Sequence, residues 1–156
     1  MTHTTFDTPL GPLLLVSDEG LLVSATFDGE PPAGSDEGRD AVLDEACRQL
    51  AAYFDGVPVT FRVPVRLSGT PFQSRVWAAL RDIPHGETTS YGAIAARLGD
   101  PQAAQAVGGA NGQNPISVIV PCHRVVGADG SLVGYAGGLD RKRALLALES
   151  RQRSIF

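Results

Sequence analysis

A chain of 156 residues that is 43% hydrophobic has room for one packed domain or two small ones, and it is too apolar to stay disordered. No apolar run approaches the roughly 18–20 residues of a membrane-crossing helix, and Leu13–Val16 is too short for a signal-peptide core, so a cytoplasmic protein is expected. The formal net charge of −4 speaks against nucleic acid as a partner for the whole chain, but residues 1–68 carry 4 basic and 11 acidic side chains (−7) while residues 69–156 carry 9 and 6 (+3), which leaves the second half as the place for a modest, salt-sensitive phosphate-contacting surface.

In chain order, Thr4–Phe6, Leu13–Ser17 and Leu21–Phe27 are β-rich and separated by turn residues, predicting a small antiparallel meander. Residues 28–38 are Gly, Pro and acid and read as a loop. Apolar Val42, Ala46, Leu50 and Phe54 recur at four-residue steps and predict an amphipathic helix over 39–54, with Cys47 beside its buried face as a core thiol. Residues 57–67, valine-rich and interrupted by Pro58 and Pro64, read as a strand followed by an interdomain connection. No residue of 1–68 is assigned chemistry.

The second half opens with Thr70-Pro71-Phe72-Gln73, a capping box with proline at the first helical position. Phe72, Val76, Ala79, Leu80 and Ile83 form that helix's buried stripe, with Trp77 packed beside it and Pro84 ending it. Thr89 or Ser90 caps a second helix over 91–98, and Gly99 stops it. Asp100 and Pro101 are expected to start a third helix running to about Val107, which makes the pair a helix-turn-helix. A generic helical hairpin fits the same pattern. The third helix is unusual in its small residues, Ala103, Ala104, Ala106, Gly108 and Gly109. Readers of the major groove carry long polar side chains there, whereas a small-residue helix can press its backbone into the narrower minor groove. Residues 127–130 form a turn, residues 134–138 a glycine-rich loop around Tyr135, and residues 139–149 a final helix. Its opening Arg141-Lys142-Arg143 either faces phosphate or forms a solvated cationic face.

Between these elements lies Asn114-Pro115-Ile116-Ser117-Val118-Ile119-Val120-Pro121-Cys122-His123-Arg124-Val125-Val126. Ile116–Val120 reads as a buried strand stopped by Pro121, which cannot donate to a ladder. A thiol follows at once, beside an imidazole and a guanidinium that favour its reactive thiolate form. The same residues also suit an inert core thiol. With only Cys47 and Cys122, and three scattered histidines, there is no zinc spacing, and the cysteines fit a reducing compartment.

This stretch resembles the active-site motif of the O6-alkylguanine-DNA alkyltransferase family. The likeness extends in order through Gly69–Gln73, Val76-Trp77, Ile83-Pro84, Gly86–Thr88, Ser90–Gly92, Ala106–Gly108, Asn111-Gly112, Asn114-Pro115, Gly134-Tyr135, Gly137-Gly138 and Leu145-Leu146 to Glu149. The resemblance implies an α+β protein, with a small ribonuclease-H-like α/β domain at 1–68 and a mainly helical, winged-helix-like domain with the helix-turn-helix at 69–156. It implies DNA repair by one-time transfer of an alkyl group from O6 of guanine to Cys122, with O4 of thymine left open as a second substrate. No cofactor or metal is expected, and the partner is double-stranded DNA bound by a monomer through its minor groove.

In that family the thiol proton leaves through a water to His123, held in turn by Glu149, and Asn114 orders the turn around the cysteine. Tyr91 meets the flipped base and its phosphate, Val125 with Tyr135, Ala136 and Gly137 forms the pocket wall, and Arg124 is grouped with the substrate- and DNA-contacting residues. Two departures stand out. Ala136 lacks the hydroxyl some members offer the guanine oxygen, and Gln105 stands where an arginine usually fills the space left by the flipped base. The loss of that arginine supports one competing expectation, a sensor that flips alkylated bases without transfer. A Cys–His thiol hydrolase is a third class, disfavoured by the minor-groove-type helix and by the absence of a distant second catalytic histidine.

Overall fold

The computed structural model describes residues 1–154, with side chains through Ser150. Strands β1 (Thr2–Thr8), β2 (Gly11–Asp18) and β3 (Leu21–Phe27) form the antiparallel meander. Residues 28–38, expected to be irregular, contribute a two-residue strand β4 (Asp36–Glu37) parallel to the start of β1, giving the order β3-β2-β1-β4. Gly34, with φ of 81°, precedes the return of the chain, and Asp36 N–H then donates to the Met1 carbonyl at 3.0 Å. Backbone pairing of this kind needs no β-forming side chains, so composition alone does not reveal it. Strand β2 is buried without a break from Leu13 to Ser17, as a central strand covered on both faces must be. Helix α1 (Ala41–Phe54) packs across the sheet and is capped by Asp40, whose carboxylate accepts from Leu43 N–H and from the Ser17 hydroxyl.

Residues 57–67 do not form a regular strand. Pro58 and Pro64 have no N–H to give, and the segment makes one parallel bridge, Leu22 to Val65. Farther along the outer edge of β3, Ala25 N–H donates to Pro115 O at 2.9 Å and Ser117 N–H to Ala25 O at 2.8 Å. The open edge of the first sheet is thus covered first by the interdomain connection and then by the chain leading to Cys122.

In the second domain α2 (Pro71–Arg81) has the expected capping box, and Trp77 is buried with its indole N–H donating to Ala110 O at 2.9 Å. Helix α3 (Tyr91–Arg97) is capped by Ser90, and Gly99 in the left-handed region ends it. Helix α4 (Ala104–Gly112) begins later than Asp100 and runs past Val107. Pro101 falls in a turn closed by Ala103 N–H on Asp100 O, so Asp100 caps no helix. Burial of Val107, Ala110 and Asn111 carries α4 through Gly108 and Gly109 despite their poor propensity. Two short parallel strands, β5 (Thr89–Ser90) and β6 (Val125–Val126), join the helix-turn-helix to the segment after the cysteine, and α5 (Leu139–Ser154) closes the chain.

Candidate active site

Ile116–Val120, expected to be a strand, is a coiled series of tight turns with every residue buried. Ile119 N–H donates to Ser117 O at 2.8 Å, which places Val118 at the centre of a three-residue turn with φ of 69°. A buried β-branched residue in that region is strained and persists only where its surroundings hold it. Asn114 supplies the hold: its amide donates to Ile116 O at 3.1 Å and Val120 O at 2.9 Å, and its oxygen accepts from Ile116 N–H at 3.0 Å. A second three-residue turn about Pro121, closed by Cys122 N–H on Val120 O at 2.8 Å, delivers Cys122 onto a single 3-10 turn, Cys122–Arg124.

All three side chains of that turn are buried. Burial pushes the Cys122 thiol up to about 11, partly offset by the Asn114 amide and the charge of Lys142. His123 Nε2 and Glu149 Oε2 are 2.6 Å apart. Burial works against ionisation of Glu149, but His123 and Arg124 outweigh it and hold the carboxyl far below the usual range. Burial depresses the His123 imidazole, so at rest it is neutral. An ionised carboxylate only accepts, so Nε2 carries the hydrogen and Nδ1 keeps its lone pair. Nδ1 is buried and has no hydrogen-bond partner among the described residues, the disposition of a base awaiting a proton.

The structure redirects three expected cations. Arg124, grouped by sequence with the DNA-contacting residues, is turned inward: Nε donates to Glu149 Oε1 at 2.8 Å and Nη1 to Ile83 O at 2.7 Å. Lys142 is wholly buried and donates to Val133 O at 2.8 Å, pinning the glycine-rich loop. Arg141 reaches across the domains to Asp28 at 2.6 Å and to Leu10 O at 3.0 Å, and lies 4.6 Å over the Phe27 ring. Only Arg143 of this run faces solvent, beside Asp140.

Tyr91 stands where α3, α4 and the loop meet, its hydroxyl donating to Val133 O at 2.9 Å. Val125 is fully buried on β6, and the Tyr135 hydroxyl is buried and feels the charge of Cys122. Ala136 and Gly137 join Asn114, Ser117, Thr26 and Phe27 around a cleft of about 180 Å³. A larger groove of about 700 Å³, between Leu10 and residues 137–141, is open and is lined by no thiol or imidazole. Gln105, Ala106, Gly109 and Gly112 lie exposed on α4, so the outer face of this helix is the small-residue face, with Gln105 in its first turn.

One residue of the cluster was invisible to sequence reasoning. Tyr53, on α1 of the domain assigned no chemistry, donates its hydroxyl to Glu149 Oε2 at 2.6 Å. The two residues are 96 positions apart, and an aromatic on the buried face of a helix carries no signal beyond core packing.

The chain is similar to known proteins in both of its halves. Residues 71–151 match the family model described as 6-O-methylguanine DNA methyltransferase, DNA binding domain, and residues 1–67 match the ribonuclease-like domain of the same proteins. The chain is 48% identical over 151 residues to a methylated-DNA–protein-cysteine methyltransferase of Mycobacterium leprae, covering 95% of this chain and 92% of the relative. It is 49% identical over 154 residues to one of Methanosarcina acetivorans, covering 96% and 98%. Its fold superposes on the crystal structure of Mycobacterium tuberculosis OGT in complex with DNA with a TM-score of 0.92 and 48% identity, covering 97% of this chain and 94% of that one. On sequence along nearly its whole length, and on fold in both domains, the chain belongs to the 6-O-methylguanine DNA methyltransferase family.

Proposed function

We propose that the protein repairs DNA by taking the alkyl group from O6 of guanine onto Cys122, once per molecule. The observation that carries this reading is the buried series Cys122, His123, Glu149, in which a neutral imidazole with a free Nδ1 lone pair follows the thiol directly. His123 takes the thiol proton, through one bridging water. The sulfur attacks the alkyl carbon, an S–C bond forms, and the C–O bond breaks. Its electrons stay on the base, which recovers a proton and leaves as guanine. The product is a thioether, which no residue here can hydrolyse, so the protein is spent.

The base must leave the duplex to reach a buried sulfur. The exposed small-residue face of α4 suits the minor groove, about 6 Å wide, with Gln105 at the gap. Tyr91 and the loop of Tyr135, Ala136 and Gly137 close on the flipped base, where the backbone N–H groups of Ala136 and Gly137 stand in for the missing hydroxyl. We take residues 1–68 as the supporting domain and 69–156 as the DNA-binding and transfer domain, acting as a monomer. The sensor reading is not favoured, because relatives at about half identity carry the methyltransferase name.

Incubation with duplex DNA carrying O6-methylguanine, followed by intact mass and peptide mapping, tests the reading. One methyl group gained, on Cys122, is expected. Tight binding without mass change returns the sensor, and continued turnover returns the hydrolase.

A further inference from the structure

Glu149 Oε2 accepts two hydrogen bonds of equal length, from His123 Nε2 and from the Tyr53 hydroxyl, each at 2.6 Å. Arg124 adds Nε on Oε1 at 2.8 Å and Nη2 on Oε2 at 3.2 Å, and Gly86 N–H reaches Oε1 at 3.3 Å. Four of the five donors belong to the second domain. Tyr53 alone comes from the first, on α1, where its ring is fully buried and set edge-on to Phe54 and at a tilt to Phe61. A phenol is not needed to fill that space, since phenylalanine has the same ring. The hydroxyl is there for the carboxylate.

We propose that Tyr53 is a positioning residue of the alkyl-transfer relay, its hydroxyl fixing the Glu149 oxygen that orients His123 and drawing charge from it. The inference rests on the alkyl-transfer reading above. Two donors on one oxygen share its negative charge, so each weakens the pull on the other's hydrogen. Tyr53 thereby limits how strongly Glu149 stabilises a protonated His123. Burial holds the phenol protonated throughout the working range, so it remains a donor whenever the relay acts. Among the described residues, the other groups facing this pair are Arg124 and Lys142, whose charges also disfavour protonated His123, with Cys122, Tyr135 and His85 around them. None of them donates to Oε2 from the first domain.

The sign of the effect follows. Transfer fails on the acid side as His123 takes a proton and ceases to be a base. Without the phenol, Glu149 pulls harder on His123 Nε2–H, His123 becomes more basic, and the acid limb moves to higher pH. The shift is about one unit, the equivalent of one hydrogen bond to a charged group.

The test is single-turnover transfer against pH for the full chain, the parent and Tyr53→Phe, with O6-methylguanine duplex and with free O6-benzylguanine. The expected result is an acid limb raised by about one unit on both substrates alike, because the relay acts after the base has been flipped. Phe61→Leu, which loosens packing against Tyr53 without touching Glu149, is expected to lower the melting temperature and leave the limb in place. Fluorotyrosine installed at position 53 keeps the shape and strengthens the donor, so the limb moves the opposite way even if Tyr53→Phe folds poorly. Superimposable profiles for the parent, Tyr53→Phe and the fluorinated protein overturn the role of Tyr53 while alkyl transfer stands. A parent that gains no alkyl mass on Cys122 overturns the underlying reading and this role with it.

Discussion

Replacing Glu149 by glutamine separates what the carboxylate does for folding from what it does for chemistry. The amide has nearly the same shape but no charge, and it leaves the buried Arg124 guanidinium without its counter-charge. Breaking a buried ion pair from one side costs about 3–5 kcal/mol. The stability of a whole domain is about 5–15 kcal/mol. At about 2–4 °C per kcal/mol for a chain of this size, Glu149→Gln is expected to lower the melting temperature by roughly 10 °C at neutral pH. The acid dependence gives the sharper signature. The folded-state pKa of Glu149 is depressed, so its contribution is full above the unfolded carboxyl value of about 4.3 and is lost as pH falls through the folded value. His123 is depressed too, so the unfolded chain takes up a proton first, and stability starts to fall below about 6.5. The variant should lose the carboxylate's acid transition and keep a histidine one. Denaturant unfolding at a series of pH values measures both, and transfer should slow with its acid limb moved to lower pH, because His123 without the carboxylate is the weaker base. An unchanged midpoint at neutral pH, or an acid-loss curve parallel to the parent's, refutes the buried pair as the organising contact.

Cys122→Ser should abolish transfer while DNA affinity stays near the parent's, and residual methylation mapped to Cys47 would overturn the assignment. Gln105→Arg should speed reaction on alkylated duplex by roughly tenfold, the worth of about one stacking contact, and leave reaction with free O6-benzylguanine unchanged. Equal gains on both substrates would mean that position 105 acts on the pocket or on stability. Arg141→Ala should lower the melting temperature, because it unties Asp28 and Leu10 from α5, and it should leave the salt slope of DNA binding where it was. A flatter slope would restore Arg141 to the phosphate-contacting surface.

How much of this was legible in the sequence depends on how local the cause is. The capping box at Thr70 and Gln73 and the Ser90 cap were readable because donor and acceptor lie within one turn. The meander was readable because its turns carry Gly, Pro and Asp. The segment before Cys122 misled because five apolar residues in a row suit a strand and a buried turn equally. What decides between them is the Asn114 side chain, which takes up the backbone groups a ladder would have used. The run 141–143 offered three cations without directions. On a helix successive residues diverge by about 100°, so one became an interdomain clamp, one a buried strut and one a solvated charge. Tyr53 could not be found at all, because its function exists only once the two domains meet.

Burial of the nucleophile is itself part of the argument for single use. A thiol held at about 11 is thiolate in roughly one molecule in ten thousand at pH 7, too few to react with stray electrophiles at an appreciable rate. A protein that cannot be regenerated gains from that inertness, since every accidental alkylation or oxidation destroys a repair event. The same burial denies the sulfur its activation by solvent, so activation must come from within. His123, kept neutral by burial, and Glu149, kept ionised against burial by His123 and Arg124, are both held in their base forms by one environment. A base that enters the pocket presents an alkyl carbon to the sulfur. Only then does moving the thiol proton to His123 lead forward to a thioether rather than back to the thiol. On this account the high resting pKa of the thiol and the relay are a single device, and weakening either half should be visible in the other. Glu149→Gln is expected to lower reaction with small thiol reagents in step with alkyl transfer, because both draw on the same thiolate.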